Sequence, residues 1–479
     1  MNHTTSFDAR RRWLLQSGAS CASALGVGSL GNLLLGARPA HAADYKALVC
    51  IFLYGGNDGL NTIVPSDAAR HAQYSGVRGA LAIPRDRLVA LPGTEFGLHP
   101  SLAALSAAAA AGHIAPVFNV GPLYAPLTKA QYRATPSGAA LKPDGLFSHS
   151  DQQVLWETAT THSQERTGWG GRASAVLGTV NPVISVGGSA RFGLTTLQSP
   201  LVLPGPGSTF GAYGLQPDDL KWAPMAARKA AIDLMYAQPQ DAALADAYSR
   251  MQRDAFAMSQ RLGALVKVEP GKAGSIAAID SAFASITVSG RISSGLGRQL
   301  YQVAKLIAGN ATVQGDRQIF FAQAGGFDTH AGQIAGSATE GEHARRLQEV
   351  GDALAAFYTA MKNLGLGQSV TAFTQSDFGR TFKPNSSNGT DHAWGNQHLV
   401  VGGAVRGGAT YGTYPQLVLG GDDDVGTESW EQHGRWIPTT SVDQYAATLL
   451  GWFGASDAQL DAALPNLRNF GTRRRLGFV

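Results

Sequence analysis

The chain has 479 residues, of which 44% are hydrophobic and 15% are charged, and it contains 59 glycines and 22 prolines. This composition is typical of a loop-rich globular protein and excludes a disordered or fibrous chain. The length allows about two to four domains, or one large α/β unit with long insertions, and does not choose between these arrangements.

The first 42 residues are predicted to be an export signal. The letters RRRWLL begin at Arg10, a weakly apolar stretch covers about 19–35, and the ending AHA predicts cleavage before Ala43. Paired arginines before a bulky apolar pair resemble the twin-arginine signal. A membrane anchor is the alternative, but Gly, Ser and Asn interrupt the stretch, which is short of the ~20 residues that cross a bilayer. We therefore expect a periplasmic or secreted chain of residues 43–479, delivered by the twin-arginine export machinery and without a stable membrane span.

The mature chain is predicted to be almost neutral. Removal of residues 1–42 takes away four arginines and one aspartate, which leaves 34 basic and 33 acidic residues. The mature sequence has no long basic run and no aromatic–basic stripe, so we expect no nucleic-acid partner. Of the two cysteines, Cys21 lies in the signal and Cys50 lies in an apolar run. The mature chain therefore has one thiol and no internal disulfide, and Cys50 is predicted to be a buried small hydrophobic side chain.

The chain alternates between strand and helix patterns. Short apolar runs that predict strands occur at about 46–54, 114–120, 181–187, 317–324, 368–374 and 397–404. Helical patterns occur at about 101–111, 149–158, 241–265, 275–308, 338–363 and 441–453. This alternation predicts an α/β fold with a mostly parallel sheet and helices on both faces. Residues 189–240 lack this alternation of strand and helix patterns, which predicts a loop-rich insertion.

Acids and imidazoles follow several of the predicted strands. Ligands bind outside the carboxyl ends of the strands in parallel α/β sheets. Oxygen and nitrogen donors from separate strand ends are what a divalent metal site requires. The candidate metal ligands in these positions are Asp58, Asp328, His330, Asp377 and His392.

Each candidate also has a simpler interpretation. Asn57-Asp58-Gly59 is a common turn sequence, His330 alone is more often a satisfied polar side chain than a ligand, and Asp391 is a candidate turn cap. His99, His343, His398 and Trp169 are predicted to be structural. The strand-end positions taken together favour one shared site over unrelated turns.

The order of these motifs resembles a known family over nearly all of 45–479, the twin-arginine-exported proteins of domain of unknown function 1501, in the alkaline-phosphatase-like superfamily. The matching motifs are "LYGGNDGLNTIVP", "LHPSL", "FSHSDQQVLWET", "TGWGGR", "GGFDTHAGQ", "SDFGRT" and "DHAWGNQHLVVGGAVRGG". The resemblance implies an alkaline-phosphatase-like sheet whose strand-end residues hold one or two divalent metal ions, with zinc, manganese, calcium and magnesium as candidates.

The resemblance also implies a role for each candidate ligand. Asp58 looks like the ligand after the first strand, Asp328 with His330 like the central pair, Asp377 like the late-strand acid and His392 like the final imidazole. Two departures stand out. Phe378 follows Asp377 where the superfamily usually has histidine, and His330 lies two residues after Asp328, not four.

The predicted nucleophile and anion contact lie beside these motifs. Ser148 opens the predicted helix 149–158, where its hydroxyl would meet the positive end of the helix dipole. Plain N-capping by Ser148 or Ser150 is the alternative. Arg380 is predicted to contact an anionic substrate, and a salt bridge to a carboxylate is the commoner use of an arginine.

Two functions remain open from the sequence. The first is a metal-dependent hydrolase of phosphate or sulfate esters, acting on a small anionic ester of unknown identity. The second is a non-catalytic periplasmic binding or assembly protein on the same fold. Fold does not imply function, so the sequence does not decide between them.

Overall fold

A computed structural model describes residues 44–239 and 241–479. The predicted export signal, residues 1–42, lies outside the described residues together with its cleavage site. None of the helices formed by the described residues is long and apolar enough to cross a membrane.

The regular elements are numbered in chain order. The strands are β1 Lys46–Leu53, β2 Ile63–Pro65, β3 Val89–Ala90, β4 Phe96–Leu98, β5 Ile114–Gly121, β6 Ile184–Ser185, β7 Leu201–Val202, β8 Thr287–Val288, β9 Arg291–Ile292, β10 Arg317–Ala324, β11 Val370–Ser376, β12 Asn396–Gly402 and β13 Thr440–Ser441. The helices are α1 Gly59–Thr62, α2 Ala68–Arg78, α3 Ser106–Ala110, α4 Lys129–Ala134, α5 His149–Thr158, α6 Trp169–Leu177, α7 Ala223–Ala237, α8 Ala243–Lys267, α9 Ala277–Phe283, α10 Gly295–Ala308, α11 Asn310–Val313, α12 Glu342–Asn363, α13 Val442–Phe453 and α14 Asp457–Ala463. Short 3-10 helices join several of these elements.

The central sheet has eight strands in the order β13-β5-β12-β11-β1-β10-β6-β7. Strand β1 pairs in parallel with β10 and β11, and β12 runs antiparallel to both β11 and β5. The remaining pairs, β10 with β6, β6 with β7 and β13 with β5, are parallel. The predicted α/β fold with a mostly parallel sheet is therefore confirmed.

Strand β1 is buried on both faces because its side chains alternate between two cores. One core contains Ala47, Val49 and Ile51, and the other contains Leu48, Cys50 and Phe52. Residues of α10 and α12 cover the first face, and residues of α6 and α13 cover the second. The free thiol of Cys50 is buried in this strand, as the sequence predicts.

The predicted helix 275–308 is interrupted in the structure. The hairpin of β8 and β9 separates α9 from α10. Its turn residues, Ser289 and Gly290, have φ of 50° and 75°. A pair of positive φ angles belongs to a tight hairpin turn and is incompatible with a continuous helix. The Ser-Gly pair is the local signal that the helical periodicity on either side obscured.

Residues 189–240 contribute little to the central sheet. Strand β7 adds two residues beyond β6 at one edge, through parallel pairing. Helix α7 lies near the end of the segment, and the rest of its described residues, within 189–239, form β7, short 3-10 turns and irregular chain. Glycine and proline in this segment favour such turns over long strands.

Candidate functional site

The carboxyl ends of three parallel strands, β1, β10 and β11, lie side by side along one edge of the central sheet. Leu53 of β1 is paired with Ala324 of β10 and with Ser376 of β11, so the residues that follow these three strands emerge side by side. Strand β12 is antiparallel and therefore begins at this same edge. The loop before β12 carries His392 back to the ends of the other strands.

Four side chains converge at this edge and form what we call the His–Asp cluster: His149, Asp328, His330 and His392. Asp328 Oδ1 lies 3.1 Å from His330 Nε2, 3.3 Å from His392 Nε2 and 3.4 Å from His149 Nε2. The Nε2 atoms of His330 and His392 are 2.8 Å apart. Ligand atoms of His149, Asp328 and His392 all lie within 4.8 Å of one another.

Each histidine of the cluster is oriented by an acceptor behind its ring. An ionised carboxylate and a backbone carbonyl accept hydrogen bonds but do not donate them, so Nδ1 carries a proton, and in the neutral imidazole Nε2 then presents a lone pair. The three contacts are His149 Nδ1 with Asp377 Oδ2 at 2.6 Å, His330 Nδ1 with Asp391 Oδ1 at 2.8 Å and His392 Nδ1 with the Phe147 carbonyl at 2.6 Å. Carboxylate and carbonyl acceptors of this kind are typical of metal-ligating histidines.

The spacing of the donor atoms fits a divalent cation. Two lone pairs that face each other at 2.8 Å, as on His330 and His392, need a proton between them, because two nitrogen ligands of one ion lie farther apart. Nitrogen ligands at a zinc–nitrogen distance of about 2.0–2.1 Å and tetrahedral angles would lie about 3.3 Å apart. Asp328 Oδ1 lies 3.3 Å from His392 Nε2 and 3.4 Å from His149 Nε2, and these three residues have ligand atoms close enough to share one ion. Imidazoles with one carboxylate suit zinc better than magnesium or calcium, which prefer oxygen ligands.

His149 supplies a further sign of an unmet interaction. Its Nε2 is buried and makes no hydrogen bond among the described residues, although Asp328 Oδ1 lies 3.4 Å away. A buried polar atom without a partner is costly in a native protein and points to a missing water or ion. A cation held between His149 and Asp328 would satisfy this atom.

The charge state of Asp328 suits cation binding. Burial by itself raises its pKa, but the hydrogen bond and charge of Arg380, together with the nearby histidines, outweigh burial and lower the pKa to about 2. The hydrogen bond with Asp377 is the largest influence on His149 and raises its pKa, whereas burial lowers the pKa of His392. Because its pKa is lowered in this way, Asp328 is a carboxylate at neutral pH.

Asp377 lies behind the cluster instead of within it. Its carboxylate is fully buried and accepts hydrogen bonds from His149 Nδ1, from Gln153 Nε2 at 2.9 Å and from the Gly55 amide at 3.2 Å. These contacts hold both oxygens within the protein. The sequence predicts Asp377 as a metal ligand, and the structure places it where it orients His149.

Asp58 belongs to a separate buried network. Its carboxylate forms an ion pair with Arg78 in which both side chains are fully buried. Gln333 Nε2 donates to Asp58 Oδ2 at 2.6 Å, and the carboxylate also caps helix α1. Burial by itself raises the pKa of Asp58, but the charge of Arg78 more than offsets it. Asp58 is thus neutralised within the protein, and the five predicted ligands are not brought into one coordination sphere.

The motif "GGFDTHAGQ", residues 325–333, divides its side chains between two directions. Asp328 and His330 face the open edge, whereas Gln333 is buried beneath it. Gln333 Oε1 accepts from Thr329 Oγ1 at 3.1 Å and from Thr390 Oγ1 at 2.7 Å, while its amide nitrogen contacts Asp58. Gln333 therefore joins three strand-end loops under the His–Asp cluster.

Arg380 is enclosed by the loops it connects. Its side chain is fully buried and donates to carbonyl oxygens of Gly56 at 2.8 Å and Phe327 at 3.0 Å, as well as to Asp328 Oδ1 at 2.5 Å. Burial lowers the pKa of this guanidinium. These contacts are the carboxylate salt bridge that the sequence leaves open as the alternative, and the predicted substrate contact stays a prediction.

Ser148 directly precedes His149 of the cluster in the sequence, but its side chain makes few hydrogen bonds. It occupies the N-cap position of α5, and its side chain makes no capping hydrogen bond. Its Oγ lies 3.1 Å from Ser150 Oγ, and among the described residues no hydrogen bond joins this hydroxyl to the side chain of Asp328 or of a cluster histidine. Its role as nucleophile stays a prediction.

The sequence interpretation missed His149. The sequence motif was interpreted through Ser148 and Ser150, and no role was assigned to the histidine at the first position of α5. Phe378 lies against this imidazole, with ring centroids 4.7 Å apart, and 4.5 Å from the ring of His392. The helix thus supplies an imidazole next to Phe378. The signal was the quoted motif "FSHSDQQVLWET", which places a histidine at a helix start.

Comparison with known families supports part of the resemblance. Residues 211–427 match the family described as Protein of unknown function (DUF1501). This segment contains Asp328, His330 and His392, and His149 precedes it. No curated protein gives a significant match to the chain. The match supports similarity to the DUF1501 family and assigns no activity.

Proposed function

We propose that the chain is an exported metal-dependent hydrolase of phosphate or sulfate esters, with the His–Asp cluster as its metal site. The convergence of histidine Nε2 atoms on Asp328 Oδ1, at 3.1, 3.3 and 3.4 Å, is the observation that carries the proposal. The ester class rests on the resemblance to the alkaline-phosphatase-like superfamily. The periplasmic or secreted location rests on the twin-arginine pattern in residues 1–42.

The residues of the cluster divide the work of such a site. His149 and His392 would hold the ion through Nε2, and Asp328 through its carboxylate, with His330 hydrogen-bonded to His392 beside them. A divalent ion bound there would act as a Lewis acid on a phosphoryl or sulfuryl oxygen and would lower the pKa of a hydroxyl or water beside it. Asp377 and Asp391 keep the tautomers of His149 and His330 that direct Nε2 inward.

The cluster is open on one side, as a catalytic site must be. The side chains of Asp328 and His330 are 46% and 45% exposed. Catalytic metal sites keep a position for water or substrate, whereas structural sites are closed by protein ligands. This exposure favours a reactive site over a structural one.

The non-catalytic alternative has one observation in its favour. No described serine, threonine or cysteine side chain hydrogen-bonds to a residue of the His–Asp cluster, so no hydroxyl or thiol is held against the cluster in this way. Under this alternative the chain would bind a divalent ion and an anionic partner without turnover. Ser148→Ala separates two forms of the hydrolase: loss of turnover with retained metal assigns the nucleophile to Ser148, and retained turnover assigns it to water.

The test begins with protein recovered from the periplasmic or secreted fraction. Elemental analysis of this material is expected to find a divalent metal, and a panel of phosphate and sulfate monoesters and diesters is expected to include a hydrolysed ester. His392→Ala should lose both metal and turnover because it removes one Nε2 donor and the contact with His330.

The matched control is His162→Ala, which removes an exposed imidazole outside the cluster. It should retain metal content and turnover. Recovery of the chain only from the cytoplasm would contradict export. Retention of metal by His392→Ala would place the metal site elsewhere, and a metal-loaded wild type that leaves the whole ester panel intact would favour the binding protein.

A further inference from the structure

A cavity of about 420 Å³ adjoins the His–Asp cluster. This volume is within the range of small-molecule sites, which is about 300–1,000 Å³. Its wall combines aromatic side chains with cationic ones, namely Tyr132, Phe147, Trp430, Arg133 and Arg435. The loop 425–435 forms most of one side.

Two residues that line this cavity are hydrogen-bonded to His392. The Phe147 carbonyl accepts the hydrogen bond of His392 Nδ1 at 2.6 Å, and Arg435 Nε donates to the His392 carbonyl at 3.0 Å. The cavity therefore lies next to His392, which is itself a residue of the cluster. A molecule that reacts at the cluster could place its remaining atoms in the cavity.

The cavity offers both a stacking surface and positive charge. The guanidinium of Arg435 lies over the ring of Phe147, 4.6 Å from its centroid, and the ring of Trp430 is 73% exposed. Within the described part of the chain, Arg435 has no ion pair with an acidic side chain. Glu431 also lines the cavity, but its carboxylate is directed into its own loop, where it accepts hydrogen bonds from the Thr427 and Glu428 amides at 3.1 and 3.4 Å.

We infer that this cavity binds a planar aromatic group that carries an anionic substituent, which would be the organic part of the ester. Trp430 supplies an exposed face for stacking, and Arg435 supplies a cation for the substituent. The assignment of the bound group to a substrate rests on the proposed hydrolase function. The binding itself does not depend on that function.

The probe is 4-hydroxybenzoate, compared with phenol and with cyclohexanecarboxylate, and binding to the mature protein is measured by calorimetry before and after metal loading. We expect 4-hydroxybenzoate to bind more tightly than either comparison compound. Trp430→Ala should weaken its binding about tenfold by removing the stacking face. Trp222→Ala is the matched control, because Trp222 is also 73% exposed and does not line the cavity.

Arg435→Gln tests the anionic half of the inference. It should weaken the binding of 4-hydroxybenzoate more than that of phenol, because phenol lacks the carboxylate that the guanidinium would pair with. Equal binding of all three probes, or an equal loss in Trp430→Ala and Trp222→Ala, would overturn the inference. Metal content and ester turnover are measured on the same protein, so a cavity that fails to bind the probe leaves the hydrolase proposal standing, and a protein that binds the probe without turnover leaves the cavity standing.

Discussion

Asp377 and Asp391 act on different histidines of the same cluster. Each accepts from an Nδ1 atom, at 2.6 Å for His149 and at 2.8 Å for His330. Asp377 is fully buried, whereas the side chain of Asp391 is 41% exposed. The less solvated hydrogen bond is the stronger electrostatic interaction, so Asp377 should constrain its histidine more tightly than Asp391 does.

Asp377→Asn tests how the charge of Asp377 affects metal binding by His149. An amide oxygen can still accept from His149 Nδ1, but it lacks the charge that would make the imidazole a stronger ligand for the proposed metal ion. Loss of such a partner typically weakens metal affinity by about 10–100-fold. Competition with a chelator of known affinity measures this change.

Asp254→Asn is the control for this substitution, because Asp254 is exposed on α8 and outside the cluster. It should leave metal affinity at the wild-type value. Should Asp377→Asn bind metal as tightly as the control does, Asp377 would have no positioning role for His149.

Close backbone contact holds the loop after β10 against the loop that joins β11 to β12. A Cβ atom at Gly389 would lie 2.2 Å from the carbonyl oxygen of His330, so only glycine allows the loop before β12 to approach this closely. The Thr390 amide also donates to the Thr329 carbonyl at 3.1 Å. Both contacts hold His330 next to His392.

Gly389→Ala is therefore expected to push the two loops apart. Overpacking of this kind costs about 1–3 kcal/mol in the free energy of unfolding. It should also weaken metal binding, since His330 and His392 lie on the two displaced loops. Thermal unfolding and metal titration measure the two effects.

Gly325→Ala is the matched control beside the same strand. A Cβ atom there would meet no described atom within 4 Å, and Gly325 is exposed. It should change neither stability nor metal affinity by a comparable amount. Equal effects of the two substitutions would mean that the close contact at Gly389 is not what limits the site.

At the scale of the whole molecule, Asp443 couples folding to pH from a position in α13. Its side chain is buried, and Oδ1 accepts the Asn466 amide at 3.1 Å. Burial raises its pKa from 3.8 to about 7. Between these pH values the unfolded chain loses this proton while the folded chain keeps it, so stability falls as pH rises.

Asp443→Asn should remove this pH dependence while retaining the acceptor for Asn466. Compared with the wild type, the variant should become more stable as pH increases from about 4 to about 7, by no more than the linkage of one proton. Denaturant unfolding at several pH values measures the difference. A constant difference across that range would mean that Asp443 titrates normally in the folded protein.

Much of the fold could be predicted from short patterns in the sequence. The apolar runs at 46–54 and 317–324 correspond to β1 and β10, and the helical pattern at 338–363 corresponds to α12. Strands buried on both faces and long amphipathic helices have local signatures. The hairpin between α9 and α10 was missed because its two-residue strands are too short for periodicity to detect.

The site was predicted less well, for a physical reason that Asp58 and Asp328 illustrate. Both are aspartates in glycine-rich loops after parallel strands, and their sequence contexts look alike. Asp58 meets Arg78 in a fully buried pair, whereas Asp328 remains 46% exposed beside three imidazoles. The difference depends on which side chains each loop meets, and neighbouring residues in sequence do not reveal it.

The sequence by itself determined the α/β class, the mostly parallel sheet and the edge at which polar side chains gather, because strand burial and chain order are local properties. Only the tertiary structure decided that His149 joins Asp328, His330 and His392 while Asp58 and Asp377 do not. Coordination depends on distances between atoms far apart in the chain, and the antiparallel course of β12 and the start of α5 set those distances.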